Sequence, residues 1–374
     1  MRPKLRAAIE PEWITLVDRA AKVLLGRDDR VGEALAREVS LVSEIYTRER
    51  SSLHRTSVEL AARLRFFLLR DLAKIERPLV ELGIAPRETL RVLDLGAGLG
   101  TSTLGVSRVA KMHGLARRLD VLAVEREPRL VDVMTHLCAR AGAIATPITL
   151  ATRELDLERL EPATLGTGFD LVVVGLALNE LFVDAADPIA ARAAWCESLA
   201  ACMAEDGAMI VLEPALRTTT RELMQVRERL ISSRALHVLG PCTAEGACPL
   251  LRRERDWCHA DDPLALPASL ASIAKSAGLR WEGLSYAYLT LGRVPPASTS
   301  AYRVVGGPIV QKGRTEWHVC RAPALVRLAV LHRDRDETDR LSGLGRGNRV
   351  ALTPSPEGDA AIRAGTAARV DVVG

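Results

Sequence analysis

The sequence predicts an α/β protein built on a doubly wound, mostly parallel sheet. Short apolar runs alternate with helical patterns, and this alternation is typical of parallel strands joined by helices. The first run leads into a glycine-rich turn that opens a helix, as in folds that bind a ligand at the carboxyl ends of their strands. The predicted strands are residues 90–95, 121–124, 148–151, 170–176 and 208–212, with helices at 101–113 and 188–204 among them.

The composition is that of a globular protein, with 48% hydrophobic and 26% charged residues among 374. No apolar run reaches the roughly 18 residues that a membrane span requires, and the start lacks the apolar segment of a signal peptide. Seven cysteines, an odd number, favour reduced thiols over a disulfide framework. We therefore expect a cytoplasmic protein with no membrane partner. Residues 251–350 contain 16 Lys and Arg against 10 Asp and Glu, a balance that permits an RNA partner.

Changes in pattern along the chain predict five segments. Helical spacing dominates the start, and strand–helix alternation follows it. A stretch rich in proline and cysteine then interrupts the alternation, while the last residues are rich in Gly, Pro, Arg and Ala, which indicates disorder. The predicted segments are a helical region at 1–85, a core at 86–234, a cysteine-bearing insertion at 235–265, strands that complete the core plus a small β appendage at 266–342, and a disordered tail at 343–374.

The sharpest local motif is the sequence RVLDLGAGLGTST at residues 91–103. A strand, a glycine turn and a helix follow one another, so the backbone can approach a ligand closely while helix amides face its anionic part. The glycines alternate as G-x-G-x-G after Asp94, whereas dinucleotide sites use G-x-G-x-x-G. This pattern resembles motif I of the S-adenosylmethionine-dependent methyltransferases. A glycine turn in a different α/β enzyme is the alternative.

That resemblance implies a Rossmann-like methyltransferase fold that binds S-adenosylmethionine. In the family the glycine loop packs on the methionine part of the cofactor, and an acidic residue that ends the second strand holds the ribose hydroxyls. Glu125 occupies the place of that acidic residue. The implied cofactor-binding residues are Asp94, Gly96, Gly98, Gly100 and Glu125.

The loop after the fourth strand contains the candidate catalytic residues Asn179 and Glu180. Methyl transfer from a sulfonium needs mainly an aligned nucleophile and sometimes a base, so these side chains are candidates to orient a substrate or accept a proton. A polar loop that caps the next helix explains them equally well. The N/D-P-P-Y/F motif of amino-group methyltransferases is absent, because Ala177 and Leu178 precede Asn179.

Three cysteines of the insertion suggest a metal site, because Cys242, Cys248 and Cys258 lie in a loop stiffened by prolines. Four ligands require one more residue, and Cys320 and His259 are the candidates. Zinc accepts either residue, although the closely paired cysteines of its usual sites are missing. An iron–sulfur cluster prefers four thiolates, which favours Cys320. The remaining cysteines are expected in the core: Cys138, Cys196 and Cys202.

The whole arrangement resembles the methyltransferase-like factors of the small ribosomal subunit, bacterial and mitochondrial. The segments that carry this resemblance are LDLGAG, LNEL, PC-x5-CPL, DWCH, SYAYLTL and KG-x6-C, in that order. The resemblance implies a role in small-subunit assembly and translation, and a [4Fe–4S] cluster. The implied cluster ligands are Cys242, Cys248, Cys258 and Cys320. The chain departs from the family pattern at residues 98–100 and 213–215, and in lacking a basic, aromatic ending.

Three hypotheses on function are open from the sequence. The first is an S-adenosylmethionine-dependent methyltransferase that acts on the rRNA of the small ribosomal subunit, with the cluster bracing the insertion. The second is a non-catalytic assembly factor whose core only docks on rRNA, and the third is a small-molecule methyltransferase with a structural zinc. No DNA partner is expected. Basic residues near the cysteines would contact RNA phosphates, namely Arg252, Arg253, Lys312 and Arg314.

Overall fold

A group of helices forms the amino-terminal part of the chain. The computed structural model describes residues 8–48, 57–356, 358–365 and 368–373. Pro11 occupies the first turn of the first helix, which buries Trp13 and Val17 on one face. Within the described residues, no helix combines the length and the apolar character needed to cross a membrane. The helices are α1 (Pro11–Leu24), α2 (Gly32–Arg48), α3 (Ser57–Ala62), a π-helical segment (Arg63–Phe67), α4 (Leu68–Asp71) and α5 (Glu76–Leu82).

A central sheet of eight strands follows the helical region. Its strands are β1 (Arg87–Leu95), β2 (Ala116–Glu125), β3 (Ile148–Glu154), β4 (Phe169–Gly175), β5 (Met203–Pro214), β6 (His237–Gly240), β7 (Ala260–Ala265) and β8 (Glu282–Gly292). The order is β3-β2-β1-β4-β5-β8-β6, and β7 pairs with β8. The first five strands are parallel, whereas β8 is antiparallel to β5. The connecting helices are α6 (Thr101–His113), α7 (Pro128–Ala141), α8 (Pro188–Ser198), α9 (Arg217–Ser233) and α10 (Ala268–Ser276).

Both faces of the central sheet are buried, because successive side chains of a strand point to opposite faces. Val173 of β4 belongs to an apolar cluster that includes Leu72 of the amino-terminal helical region. The neighbouring Val172 belongs to a second cluster, which includes Trp195 of α8. Strand order reverses between β1 and β4, so a crevice opens where their carboxyl ends diverge. The predicted Rossmann-like sheet of the α/β class, doubly wound and mostly parallel, is confirmed.

The predicted cysteine-bearing insertion contains two short strands rather than loop alone. β6 and β7 both pair with β8, and β6 lies at the edge of the central sheet. The sequence pattern does not predict these two strands, because neither shows a clear apolar alternation. β6 has only four residues, and β7 contains Pro263, which a strand tolerates where no neighbour needs its missing N–H.

A second sheet forms the carboxyl-terminal part of the chain, and the prediction of a disordered tail is wrong for the described residues. Its strands are β9 (Ala301–Val304), β10 (Ile309–Gln311), β11 (Arg314–Arg321), β12 (Ala324–Leu331), β13 (Arg349–Thr353), β14 (Ala361–Arg363) and β15 (Arg369–Val373), and α11 (Arg335–Leu341) packs beside them. β13 pairs with β9 and β15. Val350, Leu352 and Val370 are buried with Trp317. Composition alone indicated disorder, whereas alternate apolar positions and pairing with a distant strand order the tail.

Candidate functional site

The glycine loop between β1 and α6 requires glycine for both conformation and packing. Gly96, Gly98 and Gly100 have φ values of 69°, 56° and 79°, a region that other residues rarely adopt. A Cβ atom on Gly96 would lie 2.8 Å from the Cβ of Ala177, and one on Gly100 would lie 2.6 Å from Cγ of Met134. The loop is therefore tightly packed around these two glycines.

The backbone amides of the glycine loop are mostly bonded within the protein. Gly96 N donates to the carbonyl of Val124 at 2.9 Å, and Gly100 N donates to the carbonyl of Ala97 at 2.8 Å. Gly98 N donates to Oε2 of Glu125 at 2.9 Å. These amides do not face an anion-binding space, contrary to the simplest expectation for a glycine turn at a helix start.

Glu125 ends β2, and parallel pairing with β1 brings it beside the glycine loop. Its other oxygen, Oε1, accepts hydrogen bonds from the backbone of Arg126 at 2.9 Å and of Glu127 at 3.1 Å. The structure thus brings together the loop and the acidic residue that the sequence assigned to one cofactor site. Their role in binding stays a prediction.

Asp94 lies beneath the loop and is fully buried. Its Oδ2 accepts hydrogen bonds from Thr103, at 3.1 Å from the backbone nitrogen and 2.6 Å from the hydroxyl. Burial raises the pKa of Asp94 to about 6, although the bonds from Thr103 oppose this shift. Through its bonds to Thr103, Asp94 stabilises the first turn of α6. Its Oδ1 has no hydrogen-bond partner among the described residues.

A cavity of about 920 Å³ opens above the carboxyl ends of β1 and β4. Its walls include the glycine loop, Glu125, Asn179 and Glu180. The amino-terminal helices supply a further part of the wall, through residues that the sequence did not mark as functional. These residues include Tyr46, Arg63, Phe67 and Lys74. Aromatic side chains make up only 3% of the chain. The two in this wall, Tyr46 and Phe67, were therefore the sequence feature that could have indicated a functional surface.

Asn179 and Glu180 lie in a short turn after β4, as the sequence indicated, and both line the cavity. The backbone nitrogen of Asn179 donates to Oε1 of Glu213 at 3.0 Å, and Arg192 donates to its carbonyl at 2.9 Å. The side-chain oxygen of Asn179 has no hydrogen-bond partner in the described part of the chain. The turn is thus held rigidly while one acceptor remains available.

Glu213, at the end of β5, is a buried carboxyl that the sequence did not mark as functional. Burial raises its pKa to about 8, although the amide of Asn179 and the charge of Arg192 oppose the shift. Its Oε2 lacks a hydrogen-bond partner among the described residues. Burial therefore favours the protonated form of Glu213, which lies directly behind the candidate catalytic turn.

Glu213→Gln should change how stability depends on pH. A carboxyl whose pKa is raised by folding stabilises the protein below its unfolded pKa, near 4.5, and this stabilisation is lost as pH rises through about 8. As pH rises between these values, the free energy of unfolding of the wild type should fall by a few kcal/mol relative to that of the variant, since one pKa unit corresponds to about 1.4 kcal/mol. Urea unfolding of both proteins at several pH values measures the difference. Parallel pH profiles would contradict a raised pKa.

Cys242, Cys248, Cys258 and Cys320 lie near enough to one another to interact electrostatically. The first three lie between β6 and β7, and Cys320 lies on β11 of the second sheet. All four are free thiols. Burial raises the pKa of Cys320 well above its usual value, and proximity to the other three thiols adds to the shift. Burial, followed by the neighbouring Cys242, also raises the pKa of Cys258 to about 12.

Polar and apolar neighbours surround these thiols. Nε of Arg227, a buried residue of α9, donates to Sγ of Cys242 at 3.1 Å. Cys248 packs in a small apolar cluster with Met224, Leu250 and Leu325. Within the described ranges, no three or more His, Cys, Asp or Glu side chains form a group that could hold a single metal ion. The predicted metal site is therefore not confirmed.

His259, the alternative fourth ligand, uses one ring nitrogen in an ion pair, and its Nδ1 has no hydrogen-bond partner among the described residues. Its ring stacks on Trp257 with centroids 5.6 Å apart, and its Nε2 lies 3.4 Å from Asp261. The prediction that the remaining three cysteines lie in the core is confirmed, since all three are buried: Cys138, Cys196 and Cys202.

The basic residues proposed for RNA contact are exposed, but some already have protein partners. Arg252 pairs with Asp359 at 3.0 Å, and Arg314 pairs with Glu316 at 3.0 Å. Arg253 lies 4.0 Å from Asp256. Such surface pairs are weak, so their contact with phosphates stays a prediction.

The chain is similar to solved methyltransferase structures at low sequence identity. No curated protein sequence matches the chain significantly. Among solved structures, the magnesium protoporphyrin IX methyltransferase of Synechocystis PCC 6803 with bound S-adenosylmethionine is 12% identical, with 69% of this chain and 97% of that chain covered and a TM-score of 0.36. Precorrin-6y C5,15-methyltransferase of Geobacter metallireducens GS-15 is 14% identical, with 59% and 89% covered and a TM-score of 0.33.

A family assignment comes from the sequence profile described as mitochondrial small ribosomal subunit Rsm22, which matches residues 31–343. This range contains the amino-terminal wall of the cavity from Val31 onward, the whole central sheet and all four cysteines of the predicted metal site. Because the match extends over most of the chain, the protein belongs to the mitochondrial small ribosomal subunit Rsm22 family.

Proposed function

We propose that the protein binds S-adenosylmethionine, acts on the rRNA of the small ribosomal subunit as a methyltransferase, and carries a [4Fe–4S] cluster on four cysteines. The observation that carries the cofactor assignment is the contact between Gly98 and Glu125 at the point where strand order reverses. The adjoining cavity has the volume of a typical small-molecule site. Membership of a small-subunit family supports the ribosomal assignment.

The proposed roles follow from position on the cavity wall. Bound S-adenosylmethionine supplies an activated methyl group, so the protein has mainly to bind and align the reactants. Gly96, Gly98 and Gly100 would form the floor of the cofactor site, supported from below by Asp94. Glu125 would accept hydrogen bonds from the ribose hydroxyls. Asn179 and Glu180 would border the transfer site, where the unpartnered oxygen of Asn179 can accept a hydrogen bond from a substrate.

The four thiols fit an iron–sulfur cluster by their chemistry. They form an all-cysteine donor set, and the buried guanidinium of Arg227 can offset the charge of thiolates. Cys242, Cys248, Cys258 and Cys320 would hold the cluster, which would link the insertion to the second sheet. Hydrogen bonds to ligand sulfurs tune such centres, and the bond from Arg227 to Cys242 is of this kind.

Binding of S-adenosylmethionine by wild-type protein tests the proposal. Glu125→Gln should raise the dissociation constant for this cofactor about 10- to 100-fold. This range is expected for the loss of hydrogen bonds to a charged acceptor. Titration calorimetry gives both dissociation constants. Glu154→Gln, an exposed change at the end of β3, should leave them unchanged. Equal affinity of wild type and Glu125→Gln would contradict the assigned role of Glu125.

Two alternative functions predict different results. A non-catalytic assembly factor would bind the cofactor or immature small subunits without transferring a methyl group to their rRNA, whereas the proposed enzyme transfers it. A small-molecule methyltransferase with a zinc staple would be colourless and contain zinc. Metal and sulfide analysis of protein purified without oxygen separates that case. The cytoplasmic location expected from the sequence stays a prediction, since the family is described as mitochondrial.

A further inference from the structure

A cation lies directly above the glycine loop. A Cβ atom on Gly98 would lie 3.6 Å from Nη2 of Arg63, and no other described atom outside the loop would lie within 4 Å of it. Arg63 also lines the cavity. The open side of Gly98 thus faces a guanidinium and the cavity space.

The chain holds Arg63 in this place through its neighbours. Arg63 begins the π-helical segment, a geometry that is rare and frequently found at functional sites. On the other side of the segment, buried Arg65 pairs with Asp18 and with Asp29, the latter at 2.6 Å. The guanidinium of Arg63 lies 6.0 Å from the ring centroid of Tyr46 on α2. The segment is therefore anchored on one side and presents Arg63 on the other.

The cavity is lined by many carboxyl groups, so a cation is required there to bind a negatively charged part of the cofactor. S-adenosylmethionine carries a carboxylate at its methionine end, beside an ammonium and a sulfonium. The amides of Gly96, Gly98 and Gly100 are already bonded within the protein and cannot neutralise that carboxylate without rearrangement. Many carboxyl groups also line the cavity, namely Asp71, Glu125, Glu127, Asp156, Glu158, Glu180 and Asp184. They suit the two cationic groups of the cofactor but repel its carboxylate.

Two other cations of the same wall, Lys74 and Arg126, are less well placed. Lys74 is buried and pairs with Asp71 at 2.9 Å, and burial lowers its pKa. Arg126 follows Glu125, on the side of the cavity assigned to the ribose. Arg70 lines the cavity, and its Nε has no hydrogen-bond partner in the described structure, so it is the main competitor of Arg63.

We propose that Arg63 binds the α-carboxylate of S-adenosylmethionine and thereby selects ligands with an intact amino-acid end. A planar guanidinium can donate two parallel hydrogen bonds to a carboxylate, which gives both strength and orientation. This inference rests on the proposed cofactor site and deepens it. Arg63 is a binding residue supplied by the amino-terminal helices, outside the glycine loop itself.

Calorimetry with two ligands and two proteins tests the inference. The ligands are S-adenosylmethionine and its decarboxylated form, which lacks only the carboxylate. Wild-type protein should prefer S-adenosylmethionine by about 10- to 100-fold. Arg63→Met should lose this preference, with weaker binding of S-adenosylmethionine and binding of the decarboxylated ligand unchanged within about twofold. Thermal unfolding of each variant verifies that it is folded.

Specific outcomes overturn the inference. It fails if Arg63→Met weakens both ligands equally, because the effect would then be a general change of the site. It also fails if Arg70→Met removes the preference while Arg63→Met keeps it. Arg129→Met, an exposed change on α7, serves as the control and should retain the preference. If wild-type protein binds neither ligand, the proposed cofactor site itself is wrong, whereas binding of both without preference overturns only the role of Arg63.

Discussion

Wild-type protein purified without oxygen should contain iron and be brown, and Cys258→Ser should lose most of both. A serine hydroxyl is a much poorer ligand for iron than a thiolate, and the three remaining thiols cannot complete the set. The variant should also unfold at a lower temperature, because the cluster would connect the insertion to β11, and ligand binding to the folded state is stabilising. Iron, sulfide and visible absorption measure the first effect, and thermal unfolding measures the second.

A matched substitution controls for the loss of any buried cysteine. Cys138 is buried in the core and belongs to no thiol group, so Cys138→Ala should retain the iron and the colour of the wild type. Full iron content in Cys258→Ser would contradict the assigned ligand set. Colourless wild-type protein with one bound zinc would support the structural-zinc alternative instead.

Arg303→Met should destabilise the protein by about 3–5 kcal/mol, the range observed when one partner of a buried ion pair is removed. Arg303 of β9 lies in the joint between the two sheets and is buried. Its Nη1 lies 3.2 Å from Glu81 of α5, and its Nη2 donates to the hydroxyl of Tyr288 on β8 at 2.6 Å. That hydroxyl donates to Glu81 at 2.6 Å. The substitution leaves Glu81 and Tyr288 buried with fewer partners.

Urea unfolding measures this loss, and two further variants define its origin. Arg327→Met, an exposed change on β12, should cost less than about 1 kcal/mol. Combining Arg303→Met with Glu81→Gln should recover part of the lost stability, because Glu81 keeps only the longer ion pairs with Arg77 and Arg349 once Arg303 is gone, and the second substitution removes its buried charge. A loss below about 1 kcal/mol for Arg303→Met would show that the joint does not depend on this charge network.

The same network predicts a dependence on acid. Burial raises the pKa of Glu81, but the charges of Arg303 and Arg349 outweigh burial, so the pKa lies below its ordinary value near 4.5. A carboxyl with a lowered pKa stabilises the folded state above its unfolded pKa, and this contribution disappears as pH falls through the folded pKa. Wild-type protein should therefore lose more stability below about pH 4.5 than the double variant Arg303→Met/Glu81→Gln does. Equal acid sensitivity would contradict the lowered pKa.

Much of the central sheet could be predicted from local pattern. The apolar runs at 90–95 and 170–176 correspond to β1 and β4, and the glycine spacing marks the turn after β1. Glu125 was identified through the resemblance to the methyltransferases, and it lies beside the loop because parallel neighbours place their carboxyl ends together. Two short strands, β6 and β7, escaped this reasoning, since a few residues or an internal proline produce no clear alternation.

The fold class and the glycine loop could be predicted from the chain's own pattern, and the resemblance to a known family added Glu125 and a ligand set of four cysteines. These depend on residue type, spacing and periodicity, which are local properties of the chain. Three features required the tertiary structure: the tail pairs with β9, Cys320 lies near the thiols of a distant loop, and Arg63 lies over Gly98. Each depends on contacts between residues far apart in the chain, and such contacts are set by packing and strand pairing, which leave no periodic signal in the sequence.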